Sequence, residues 1–86
     1  MIDKRQKAKA NFEIQSYKID NKINEILDDL DNSNDIKLLK SHSMMIGKHL
    51  EQYIELQMRG IHVLPIDVEF LSTVQNALVD KILLLL

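Results

Sequence analysis

Apolar residues recur along this chain with the period of a helix, in three stretches divided by two breaks. In the first stretch Phe12, Ile19, Ile23, Ile26 and Leu30 follow at intervals of 7, 4, 3 and 4, with Leu27 beside them. That spacing puts them on one face of an amphipathic helix, predicted over about residues 4–30. The break that follows, Asp31-Asn32-Ser33-Asn34-Asp35, consists of turn formers and helix caps.

A second helix is predicted over about 34–59, with Ser33 or Asn34 as its N-cap and Asp35 in the first turn, near the positive end of the dipole. Its apolar row is Ile36, Leu39, Ile46, Leu50 and Tyr53, with Ser43 and Gln57 filling the 3-4 register. Its stop combines Arg59, Gly60 in the left-handed position, and Ile61 placed for the apolar contact of a Schellman cap.

The second break, Ile61-His62-Val63-Leu64-Pro65, is expected to be extended, since the residue before a proline is pushed out of the helical region. Its β-branched residues suit a strand, but a lone short strand has nothing in this chain to pair with. Pro65 suits the first position of a third helix, with Asp67 and Glu69 near its N-terminus, over about 66–86. Val68, Leu71, Val74, Leu78, Ile82 and Leu85 form its stripe, widened by Phe70, Val79, Leu83, Leu84 and Leu86.

The fold class that follows is all-α: one domain of three helices, the two long ones forming an antiparallel hairpin, with a C-terminal apolar helix. Oligomerisation, with a second copy or with a different protein, would complete it. Helices of about 25 residues reach roughly 38 Å, long for so small a chain, and a domain this size buries little of its surface. Leu83 to Leu86 point to successive faces about 100° apart, and three helices can cover only one side. An uncovered leucine patch marks an interface, or a tail folded over the open end of the bundle.

Composition narrows the classes further. The 86 residues hold two glycines, one proline and no cysteine. Turn-rich sandwiches and barrels, disulfide frameworks, cysteine-ligated metals and thiol nucleophiles are thereby excluded. With 28% charged and 45% apolar residues the chain is in the range of folded proteins rather than disordered ones. The longest apolar run, Ile82 to Leu86, is five residues against the roughly 20 that span a bilayer. Glu13, Gln15, Ser16 and Lys18 interrupt any secretory h-region, so a cytoplasmic location is expected.

The net charge of −2 conceals an uneven distribution. Lys4, Arg5, Lys7 and Lys9 make a basic arm, and Asp28, Asp29, Asp31 and Asp35 an acidic elbow. In an antiparallel homodimer each basic end would lie beside the partner's acidic end.

Catalytic and metal patterns are missing from the residues. The acidic elbow lacks the calcium-loop spacing, central glycine and closing glutamate. His42 and His49 are seven residues apart, where a helical zinc pair uses i and i+4, and partly exposed imidazoles are expected instead. His42 to Lys48 departs from the phosphotransfer-helix pattern by a glycine one position late. Small helical chorismate mutases need several arginines, and only Arg5 and Arg59 occur. There is no Ser-His-Asp set, glycine-rich phosphate loop or paired-carboxylate spacing. Gly47 within a helix costs about 1 kcal/mol relative to alanine, which predicts close approach of another helix there.

The expected function is therefore that of a small non-enzymatic protein–protein interaction module: a dimeric adaptor, regulator or secretion-chaperone-like factor with no metal or cofactor. Its expected contacts are Ile46, Leu50, Tyr53, Leu71, Val74, Leu78, Ile82 and Leu85, some of which must also serve the internal core. Met44, Met45 and Met58 offer an adaptable surface or core filler. Two alternatives use charge: a DNA-associated regulator holding phosphates with the basic arm, and a small immunity or antitoxin-type inhibitor presenting the acidic elbow. Membrane contact is disfavoured, because Lys81 is the sole cation of the third helix.

Overall fold

A computed structural model describes residues 4–63 and 66–86. Three helices make up the fold: α1 (Lys4–Asn32), α2 (Ile36–Met58) and α3 (Val68–Leu85), and no strand occurs among the described residues. The all-helical class and the three elements agree with the periodicity, and the first corrections lie at the caps.

Asp35, rather than Ser33 or Asn34, caps α2. The Ser33 amide still bonds the Asp29 carbonyl at 2.8 Å, so the last turn of α1 extends to it. Asp35 is then the residue left in an extended conformation, and its Oδ1 accepts from the amides of Lys37 at 3.0 Å and Leu38 at 3.3 Å. At the far end α2 closes as predicted. Gly60 takes φ 72°, its amide bonds the Gln57 carbonyl, and the Ile61 amide reaches Leu56 at 2.9 Å, while Ile61 packs on Leu56.

The start of α3 is later than the expected residue 66, because Asp67 acts as N-cap and accepts from the Phe70 amide at 2.9 Å. A short carboxylate satisfies an otherwise orphaned donor there. The expectations for Leu64 and Pro65 lie outside the described residues.

Two apolar clusters hold the helices. The larger unites Ile19 and Ile26 of α1, Leu39 and Ile46 of α2, and Leu71, Val74, Leu78 and Ile82 of α3. The smaller joins Phe12, Leu56 and Ile61, flanked by Ala8, Tyr53, Val63 and Ile66. Contacts of α1 climb as those of α2 descend: Phe12 with Leu56, Ser16 with His49, Asp29 with His42. Lys81 of α3 donates to the Leu30 carbonyl, placing a cation at the negative end of α1.

The inward row of α2 also differs from the predicted one. It runs Leu39, His42, Ile46, His49 and Leu56, while Ser43 is half-buried and Gln57 exposed. Two helices pack on α2, so its buried arc is wider than one seam, and the histidines occupy the part facing α1.

The molecule is elongated, 46 × 22 × 19 Å, with a radius of gyration of 14.3 Å where a compact domain of this length has about 12 Å. Its accessible surface is 6212 Å², against about 5,200 Å² for a compact monomer of this mass.

Candidate functional site: outward leucines and buried histidines

Most of the expected contact row belongs to the interior. Ile46, Leu71, Val74, Leu78 and Ile82 are all buried in the larger cluster, Leu50 and Leu85 pack half-buried against it, and Tyr53 against the smaller. The reason is geometric: α3 has two adjacent apolar stripes, and the deeper one faces α1 and α2.

The second stripe is left in solvent. Val79, Leu83 and Leu86 follow at intervals of four and three, hence on one helix face, and Leu84 flanks them. Leu83 is 64% exposed, Leu84 85% and Leu86 77%. Ile14, Tyr17, Met44, Ile54, Met58 and Phe70 are exposed elsewhere on the three helices. Scattered apolar residues are ordinary on a surface, but a run of leucines on one helix end is not.

The charged candidates separate in where the structure places them. Asp29 bonds His42, Asp35 caps α2, and Asp28 accepts from the Asn32 side chain, so three acids of the elbow have internal work. Asp31 is exposed, as are Lys4, Arg5, Lys7 and Lys9 on the opening turns of α1. The structure thus disperses the elbow into a cap and hydrogen bonds, and keeps the basic arm together on one helix end.

Both α2 histidines are buried, contrary to the partly exposed imidazoles expected: His42 is 4% exposed and His49 1%. His42 Nε2 lies 2.8 Å from Asp29 Oδ2. His49 Nε2 lies 2.8 Å from Ser16 Oγ, and its ring stacks on Phe12. Ser16 Oγ also lies 3.2 Å from the Phe12 carbonyl, to which its hydroxyl can donate. His49 Nδ1 is buried with no hydrogen-bond partner. Burial pushes the His49 pKa below its ordinary 6.5, with Asp20 pulling more weakly the other way.

His49 lies where two grooves meet. One, of about 650 Å³, opens between the first half of α1 and the second half of α2 over Phe12, Met45 and Leu56. The other, of about 310 Å³, separates α1 from the start of α3 over Ile19, Ile23 and Phe70. Sequence reading missed the histidines because a heptad pattern counts only apolar residues. A signal existed, since 42, 46 and 49 continue the 3-4 spacing from Leu39.

Gly47 does meet a close neighbour. A Cβ there would lie 3.0 Å from Nε2 of Gln75 on α3, whose Oε1 is buried without a partner. Among the described residues no three His, Asp or Glu converge to hold a metal ion, and no helix is long and apolar enough to cross a membrane. No family model, no curated protein and no solved structure matches this chain.

Proposed function

We propose that this chain is a non-enzymatic protein–protein interaction module that works as a homodimer, an adaptor or regulator whose α3 helix supplies the contact. The observation that carries this reading is the surplus surface. The chain exposes about 1,000 Å² more than a compact monomer of its mass, close to the roughly 800 Å² each partner contributes to a standard interface. The outward leucines are a contiguous apolar part of the exposed surface.

In this reading α1 and α2 form an antiparallel hairpin, supported by the opposed order of their contacts, and α3 fills its open side. The Val79–Leu83–Leu86 stripe then meets the same stripe of a second copy about a two-fold axis, the commonest arrangement of homodimers. Such a contact needs no residue of the larger cluster, which leaves the internal core intact in both states.

The test is sedimentation equilibrium of the full chain and of a Leu83→Ser/Leu86→Ser variant. Both positions are exposed, so the variant keeps the monomer fold. A concentration-dependent dimer that the variant loses supports the reading. Equal masses for the two chains refute it.

A further inference from the structure

The larger cluster takes residues from all three helices and spans Ile19 to Ile26 of α1. The first half of α1 is held differently, by Phe12 and Ala8 on the small cluster and by two contacts of His49, the Phe12 stack and the Ser16 hydrogen bond. Regions with few buried apolar contacts open first.

The two α2 histidines differ in what faces them. His42 Nε2 lies 2.8 Å from the Asp29 carboxylate. A doubly protonated His49 ring, from either tautomer, carries an Nδ1–H for which no acceptor waits. Charged groups line the grooves beside it: Glu13 and Asp20 from α1, Lys48, Glu55 and Arg59 from α2, and Asp67 ahead of α3. None of them bonds Nδ1, and the Phe12 face returns less than the hydration an imidazolium gives up. Opening α1 from α2 at this point lets water reach the ring.

We propose that His49 is a proton-triggered latch, whose protonation frees residues 4–18 of α1 from the end of α2 while the Asp29–His42 pair keeps the other half docked. The freed segment uncovers Phe12, Leu56 and the floor of the larger groove. This device does not depend on dimerisation, and its test reads one chain.

Because the chain has no cysteine, pairs of introduced cysteines are unique sites for spin labels. Asn11→Cys with Gln52→Cys flanks the larger groove, and Asp31→Cys with Lys40→Cys reports the His42 end. Labelled chain is diluted with unlabelled chain so that only distances within one copy are read. Between neutral pH and about pH 5, the range over which histidines switch, the first pair should gain a longer-distance population and the second should not change. A His49→Gln variant should lose that change. Unchanged distances in the first pair, equal lengthening in both pairs, or the same opening in His49→Gln would overturn the proposal. Should His49→Gln fail to fold, the comparison of the two pairs in the otherwise native chain decides alone.

Discussion

The ring of Phe12 lies flat on the imidazole of His49, with centroids 4.2 Å apart and planes within 11°. This contact joins the first half of α1 to α2, and the burial around it favours the neutral histidine. His49 is held below its ordinary pKa by burial, so the unfolded chain binds more protons than the folded one as pH falls through 6.5. Stability is therefore full above 6.5 and declines below it. Thermal midpoints of the native chain should fall between neutral pH and about pH 5.5, and a His49→Phe variant should show a smaller fall over the same range.

Asp29 and His42 make the matching contact at the other end of α1. Removing the carboxylate in Asp29→Ala leaves a buried imidazole N–H without its acceptor, at a cost of about 1–3 kcal/mol. Urea unfolding of the variant checks the figure, and Asp31→Ala, at an exposed position, serves as the neutral control.

The two stripes of α3 differ in what truncation does to them. Leu78→Ala removes a fully buried side chain from the larger cluster and should cost about 2–5 kcal/mol, while Leu84→Ala should change monomer stability by less than about 0.5 kcal/mol. Denaturant midpoints measured at a concentration where the chain is monomeric separate the two. Comparable losses at both positions would mean that Leu84 is covered within the monomer.

Gly47 and Gly60 answer differently to alanine. At Gly60 the left-handed φ of 72° makes a side chain costly, and Gly60→Ala should destabilise by about 1 kcal/mol. At Gly47 the obstacle is the flexible end of Gln75, so the helix propensity gained should offset its displacement and hold Gly47→Ala within about 1 kcal/mol of the native chain. Chemical denaturation of the two variants, run side by side, tests the contrast.

Helix identity was legible in this sequence because the apolar periods of Phe12 to Leu30 and of Leu71 to Leu85 are those of helix faces packed on a core. The Gly60 cap was legible because its chemistry is local to four residues. The Asp35 and Asp67 caps were less so, since in Asp31 to Asp35 every residue is a capable cap and the choice depends on where α1 lets go. The two apolar stripes of α3 were legible, but which of them faces inward was not, because Leu78 and Leu83 are chemically alike and differ only in which side meets α2. The burial of His42 and His49 depends on Asp29, Ser16 and Phe12, residues 13, 33 and 37 positions away, which no local pattern connects.

The central claim, that the outward leucines of α3 hold two copies together, is tested most directly by solution mass. Light scattering after size exclusion would be run on the full chain and on one lacking residues 83–86. The account predicts twice the 10.0 kDa chain mass for the first and a folded species of single mass for the second. A full chain that stays at single mass across the accessible concentration range, or a truncated chain that still doubles, would contradict it.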